Sequence, residues 1–225
     1  MAPPPIALLR RIDQTVDVDR ALRRGELVRV MRGVYASTRQ WQALPPWDRY
    51  LAEVHATALV HPGAVFCLES AAALTGQPYA GTPREVHVLD ERYSASRRIG
   101  RMRVHASCDA RRLLQVDGCT LTAPEETALD LARSRHPALG LAAVDALLRL
   151  TEWDDASALV ELNDSRLSSR GRRAARWSLE RATGLAESVL ESVSRAVAEW
   201  LGYPEPLLQV PVSYTHLTLP TICSV

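Results

Sequence analysis

The amino-acid sequence predicts an α+β fold, in which an N-terminal winged helix-turn-helix is followed by a mixed α+β domain that becomes mostly helical. Within residues 17–37 the spacing of apolar residues changes from a helical period to alternation. Residues 64–122 contain short apolar or alternating runs between turn residues, and residues 123–201 carry almost continuous helical periodicity. At 225 residues, 47% of them hydrophobic, the chain can form a sizeable core and a small second domain.

The first predicted element is a helix rich in arginine. Arg20, Arg23 and Arg24 lie at positions i, i+3 and i+4, so their side chains share one face of the helix. Val18, Ala21 and Leu22 are expected to lie toward a core. The helix therefore concentrates positive charge on one surface.

A β-hairpin is predicted directly after this helix. Gly25 can adopt the left-handed conformation that ends a helix. The run LVRV then alternates, which directs Arg29 outward. Arg32 and Gly33 form the hairpin tip because glycine tolerates positive φ, and Tyr35 anchors the return strand.

A helix followed by such a hairpin is typical of a winged helix, whose helix enters the DNA major groove while the wing touches the neighbouring backbone. The predicted DNA-binding residues are Arg20, Arg23, Arg24, Arg29 and Arg32. The alternative is a solvated helix and hairpin, because every basic residue of the chain is arginine and none is lysine, a bias unrelated to function. The short stretch 14–16 also leaves room for only a shortened middle helix.

The predicted winged helix-turn-helix covers residues 1–40. A linker that ends in two prolines follows, and a second, α+β domain is predicted over residues 47–184. In that domain EVHVL and RMRVHA are predicted strands, and the Asp117-Gly118 pair is a hairpin turn. Thr122 and Glu125 have the spacing of a capping box that opens a helix.

The formal net charge of +1 hides an uneven distribution of charge along the chain. Residues 6–40 contain eight Arg and four acids, and residues 97–112 and 166–181 each contain six Arg and one acid. Residues 113–165 contain three Arg and ten acids. The pattern predicts one acidic face and several basic faces that could bind a polyanion.

Two further groups of residues have open interpretations. Four arginines beside Trp177 are either a second nucleic-acid contact or an exposed helix face: Arg170, Arg172, Arg173 and Arg176. His105, Cys108 and Cys119 could be three ligands of a soft metal ion. A fourth ligand is not evident, because His87 would have to come from another strand, and a metal is not expected. Asp145 is expected to be solvated on an acidic helix.

Several classes of protein are not expected. The apolar runs are shorter than the roughly 20 residues that span a bilayer, and the N-terminus lacks the pattern of a signal peptide. We therefore expect a cytoplasmic protein with no membrane partner. The sequence contains no recognisable catalytic constellation, so neither enzymatic activity nor a cofactor is predicted.

Several segments together resemble the actinobacterial relatives of the AbiEi-like antitoxins of type IV toxin-antitoxin systems. They include RALRRGELVRVMRGVYAS, LESAAALTG, PREVHV and VHASCDARRLLQVDGCTLTAPEETALDLAR, and the likeness covers nearly all of residues 6–212. The resemblance implies a transcriptional regulator with an N-terminal winged helix, which binds operator DNA and represses its own operon. It also implies a toxin encoded nearby that makes no stable contact. Leu68 stands where family members often have histidine.

The C-terminal part carries a second resemblance. Residues 185–212 look like the start of a very-short-patch-repair-like endonuclease domain, which implies that Glu187 or Glu191 is the remnant of a metal-binding catalytic site. The later strands of such a domain are absent. Residues 213–225 resemble translated read-through of a sequencing adapter and are expected to be a non-native tail. A truncated nuclease, a toxin-binding module and a DNA-binding dimer remain open alternatives.

Overall fold

The computed structural model describes residues 1–13, 17–90, 92–151 and 153–210, and within them the fold is mixed α+β. The strands are β1 (Leu9–Arg10), β2 (Leu27–Met31), β3 (Val34–Ser37), β4 (Val65–Phe66), β5 (Val86–Leu89), β6 (Arg97–Ile99), β7 (Met102–His105), β8 (Leu113–Val116) and β9 (Cys119–Thr122). The α-helices are α1 (Val18–Arg23), α2 (Thr38–Ala43), α3 (Pro46–Val60), α4 (Leu68–Thr75), α5 (Pro124–Ser134), α6 (Pro137–Leu150), α7 (Ser157–Ser165), α8 (Arg172–Leu179) and α9 (Val189–Trp200).

The N-terminal unit consists of α1 and a three-stranded sheet with the order β1-β3-β2. The predicted helix and hairpin are confirmed. Gly25 ends the helix with a φ of 71°, and Gly33 forms the tip with a φ of 86°. Val18 and Ala21 are buried, each 5% exposed. A 3-10 turn, Arg11–Asp13, precedes α1.

The predicted linker after the hairpin is wrong over residues 38–43, which form α2. The reason is that α3 supplies partners for its backbone: Arg49 donates hydrogen bonds to the carbonyl oxygens of Trp41 and Gln42, at 3.2 and 2.9 Å. In turn α3 packs against β2, β3 and α4. The domain boundary at Trp47 stays a prediction.

A six-stranded mixed sheet, with the order β6-β7-β5-β4-β9-β8, forms the centre of the chain. One face packs against α3 and α4 through a core that includes Tyr50, Phe66 and Leu121. On the other face Leu89 packs with Leu131 of α5. The predicted strands and the Asp117-Gly118 turn are confirmed, and both turn residues have positive φ.

The predicted helix after β9 is confirmed as α5, but the capping box is wrong. Thr122 is the last residue of β9, and its hydroxyl lies 2.8 Å from that of Thr127. The helix begins after Ala123, which makes no side-chain cap. Glu125 instead pairs with Arg112. Sheet pairing takes the threonine backbone away from the position that a cap requires.

The second half is helical, as predicted. Helix α6 packs against α5, α8 and α9. Trp177 of α8 stacks on Trp200 of α9, with ring centroids 5.3 Å apart. Gly171, at the start of α8, lies against the backbone of Arg133 at the end of α5, with no room for a Cβ. Among the described helices, none has both the length and the apolar character needed to cross a membrane.

The predicted acidic face is wrong, because the acidic segment pairs with the basic segments. Four ion pairs make this connection: Arg111–Asp130, Arg112–Glu125, Arg166–Glu126 and Arg176–Asp164. Asp145 is also not solvated as predicted. It is 1% exposed and accepts hydrogen bonds from Arg195 and from the backbone N–H of Thr183. Opposite charges that are separated in the sequence therefore meet in the fold.

Candidate nucleic-acid interface

The arginines of α1 and of the β2–β3 hairpin form the candidate interface. All five predicted DNA-binding side chains are exposed: Arg20, Arg23, Arg24, Arg29 and Arg32. Arg24 lies 3.7 Å from the carboxylate of Glu26. Within the described ranges no carboxylate lies within 4.0 Å of the other four guanidinium groups. These cations are therefore available to an external anion.

Local interactions hold α1 in place. Asp17 caps the helix, and its carboxylate accepts a hydrogen bond from the backbone N–H of Arg20 at 3.0 Å. Asp19, the other acid near the helix start, pairs with Arg11 at 2.6 Å. Since Arg11 lies on the 3-10 turn, this pair joins the turn to α1. It also offsets the negative charge of Asp19.

The hairpin positions the remaining two arginines. Arg29 lies opposite Tyr35 in the β2–β3 pairing, and the register shifts between Arg29 and Met31. Tyr35 is 5% exposed, so it anchors the return strand while Arg29 stays in solvent. Arg32 lies at the tip beside Gly33. Register shifts of this kind generally increase the local twist of a strand pair.

The second predicted arginine group is divided by the structure. Arg176 pairs with Asp164 and Glu180, and Arg172 donates a hydrogen bond to the carbonyl oxygen of Arg166. Arg170 and Arg173 are exposed. These residues therefore do not form one continuous cationic surface.

Sequence reasoning missed a buried polar cluster on the large sheet. Glu69 of α4 is paired with Arg135 and lies 3.6 Å from His87, measured from Oε2 to Nε2. His87 Nδ1 lies 2.9 Å from His105 Nε2. Part of the signal was present, since each histidine directly follows a valine in a predicted strand, His87 in EVHVL and His105 in RMRVHA. What the runs do not reveal is that β5 and β7 are adjacent and parallel.

The pKa values of this cluster follow its burial. Burial would raise the pKa of the Glu69 carboxyl, but the hydrogen bonds and charge of Arg135 outweigh that effect and lower it. Burial lowers the pKa of His87 and that of His105, the latter to about 4. Both imidazoles are thus neutral at pH 7, and Glu69 is ionised.

The other site candidates have separate places. Cys119 is buried in the core and Cys108 is exposed, so the structure brings together only the two histidines of the soft-metal set. Glu191 accepts hydrogen bonds from the backbone N–H of Glu187 at 2.9 Å and from the hydroxyl of Ser188. The Ser188 hydroxyl in turn accepts from the backbone N–H of Glu191 at 3.2 Å, so the arrangement is a variant of a capping box in which the carboxylate reaches the N–H of Glu187 instead of that of Ser188. The predicted tail, 213–225, lies outside the described residues.

Comparison with known proteins identifies the family. A family model for the AbiEi antitoxin C-terminal domain matches residues 64–180, which is just over half of the chain. The chain belongs to the AbiEi antitoxin family. The matched region contains the large sheet and α4 to α8, whereas the arginines of the N-terminal unit precede it. The family points to antitoxins and DNA-binding regulators of toxin-antitoxin systems, and it is in general non-enzymatic.

Two similar proteins come from strains of Mycobacterium tuberculosis: Uncharacterized protein MT2308 from CDC 1551 / Oshkosh and Uncharacterized protein Rv2248 from ATCC 25618 / H37Rv. Each is 38% identical to this AbiEi family member over 202 residues. The alignment covers 88% of this chain and 69% of each relative. The likeness therefore extends well beyond the region that the family model matches.

Proposed function

We propose that this AbiEi family member is a DNA-binding transcriptional regulator of the antitoxin type, which represses its own operon. The observation that carries the proposal is the group of exposed arginines on α1 and the hairpin, four of them without a carboxylate in reach among the described residues. Elsewhere in the chain many arginines are held by acids of the same chain. A polyanion is the natural counter-charge for the exposed group.

In this proposal α1 lies in the major groove and the β2–β3 hairpin acts as the wing. Arg20, Arg23 and Arg24 contact phosphates and guanine edges, and Arg29 and Arg32 contact the backbone beside the groove. Phosphate contacts dominate the affinity because the unit is small, and among the described residues before α1 it has a 3-10 turn, Arg11–Asp13, rather than a full α-helix. A second copy of the chain would allow paired half-sites to be bound.

The AbiEi domain supports the antitoxin part of the proposal. Any toxin would be encoded in the same operon and would make no stable complex with this protein. A nuclease function is not favoured, because Glu191 is engaged at the start of α9 and the described residues contain no group of three potential metal ligands.

A transcriptional reporter tests the proposal. The region upstream of the gene is fused to a reporter and combined with the wild-type protein or with the double variant Arg23→Ala, Arg32→Ala. Wild type should repress the reporter and the double variant should not. Arg84→Ala is the matched control, since Arg84 is also exposed and has no ion-pair partner in the described ranges. Equal repression by all three proteins would contradict the proposal.

A further inference from the structure

A cleft of about 690 Å³ lies over the large sheet, between β5, β7 and the C-terminal end of α5. Its volume falls within the range of about 300–1,000 Å³ that is usual for small-molecule sites. Strand alternation explains its floor. Arg103 and His105 of β7 point to the same side and line the cleft, whereas Val104 between them is buried in the core.

The acidic side chains of the cleft wall are mostly matched by arginines. Of the acids that line the cleft, Asp130 is paired with Arg111, and Glu85 is paired with Arg98 from outside the lining. The lining Arg135 is paired with Glu69, which is not a lining residue. Three further arginines line the cleft: Arg103, Arg133 and Arg170. Among the described residues that line the cleft, Asp109 is the only acid not already paired with an arginine, and its single negative charge cannot balance these three cations. The cleft therefore has an excess of positive charge.

The surroundings of these groups do not remove that excess. Arg103 lies opposite Arg98 in the β6–β7 pairing, so a like charge is its neighbour. Among the described residues Arg133 donates only to neutral oxygens, to Asn163 Oδ1 at 2.7 Å and also to the carbonyl oxygen of Ser168. Asp109 is already engaged, because its carboxylate accepts from the backbone N–H of Leu167 at 2.6 Å.

The two histidines add hydrogen-bonding groups to the same cleft. In the neutral state each ring has one N–H donor and one acceptor nitrogen. The carboxylate of Glu69 favours the hydrogen on His87 Nε2, which makes His87 Nδ1 the acceptor and His105 Nε2 the donor of their 2.9 Å hydrogen bond. His105 Nδ1 is then left as an acceptor. A ligand that carries both an anionic group and N–H or O–H donors matches this combination.

We propose that the cleft binds a small phosphorylated ligand of mononucleotide size, with Arg103 and Arg170 as the phosphate-contacting side chains. Arg133 contributes charge from the wall, and His105 accepts a hydrogen bond from the sugar or base. The left-handed backbone of Leu68 is a separate feature of the same floor. Its φ of 52° is costly for a non-glycine residue, and such strain is concentrated at functional sites.

Isothermal titration calorimetry with the full chain tests this site, with AMP, inorganic phosphate and adenosine as separate ligands. AMP should bind, phosphate should bind more weakly at the same place, and adenosine should bind far more weakly than AMP. Each of Arg103→Gln and Arg170→Gln should weaken AMP binding about tenfold, the effect of one lost charge-assisted hydrogen bond. Arg173→Gln, which changes an exposed arginine of α8, is the matched control.

Two readouts keep the outcome interpretable. In the wild-type protein AMP should shift the imidazole ¹⁵N resonances of His87 and His105, which requires no substitution. The DNA-binding variant Arg23→Ala should bind AMP normally, so failure of the regulator proposal would not affect this one. The site would be ruled out by the absence of AMP and phosphate binding at millimolar concentration, by adenosine binding as tightly as AMP, or by equal losses in Arg103→Gln and Arg173→Gln. Loss of DNA binding without loss of AMP binding in Arg103→Gln would also overturn it.

Discussion

Replacement of Gly171 by alanine tests how α5 and α8 are joined. A Cβ at this position would lie 2.7 Å from the carbonyl carbon of Arg133 and 2.9 Å from its Cα, and closer still to the carbonyl oxygen. All three atoms belong to the backbone of α5, so no side-chain rotation can relieve the overlap. The φ of Gly171 is also 71°, a conformation that disfavours any residue with a Cβ.

The two costs can be separated. The left-handed backbone alone costs an alanine about 1–2 kcal/mol, and overpacking against fixed neighbours adds about 1–3 kcal/mol. Gly25 is the matched control, because its φ is also 71° and nothing lies within 4 Å of its hypothetical Cβ. We therefore expect Gly171→Ala to lower the free energy of unfolding by about 2–5 kcal/mol and Gly25→Ala by about 1–2 kcal/mol.

Urea denaturation followed by circular dichroism measures both values in the full chain. The unfolding midpoint should fall much further for Gly171→Ala than for Gly25→Ala, with similar slopes. Equal losses in the two variants would refute the close approach of α8 to α5. That result would also contradict the position of Arg133 and Arg170 in the cleft, because the contact between α5 and the start of α8 brings these two residues together.

Further predictions concern an ion pair and a helix cap. Glu69→Gln should lower the free energy of unfolding by about 2 kcal/mol, because it leaves Arg135 partly buried without its counter-charge. Asp164→Asn, at an exposed pair, should change the unfolding midpoint very little, and equal effects of the two would contradict this account. Arg135 lowers the pKa of Glu69 in the folded protein, so the stabilisation by this pair is complete above the unfolded pKa of 4.5. It is lost as the pH falls through the folded pKa. The free energy of unfolding of Glu69→Gln should therefore lack this component of the pH dependence. Ser188→Ala should lower the free energy of unfolding by about 1 kcal/mol, measured by thermal or urea unfolding, because it removes the 3.2 Å hydrogen bond from the Glu191 N–H. An unchanged free energy of unfolding would show that this bond does not cap α9.

The N-terminal helix and hairpin could be predicted because their signals are local. Gly25 and Gly33 adopt the positive φ that their positions require, and the strands lie where the alternating residues predict them. The same holds for the Asp117-Gly118 turn. Each of these features depends on residues that are neighbours in the chain, so tertiary contacts did not override them.

The ion pairs and the cleft could not be predicted for the opposite reason. Arg111 and Asp130 meet because β8, β9 and α5 fold back on one another, and no local period encodes that meeting. His87 and His105 meet because β5 and β7 pair in parallel with a particular register. The capping box at Thr122 failed because sheet pairing took up its backbone. In each case a long-range contact decided the outcome.

The most direct test of the central claim is the salt dependence of binding to the upstream DNA, measured by fluorescence anisotropy. Five phosphate contacts per protomer predict a slope of log K against log salt of about −4.5, and loss of two contacts in Arg23→Ala, Arg32→Ala predicts about −2.7. Between about 50 and about 200 mM salt, wild type should lose about 500-fold in affinity and the double variant about 40-fold. Identical slopes for wild type, the double variant and Arg84→Ala would contradict DNA binding through α1 and the hairpin.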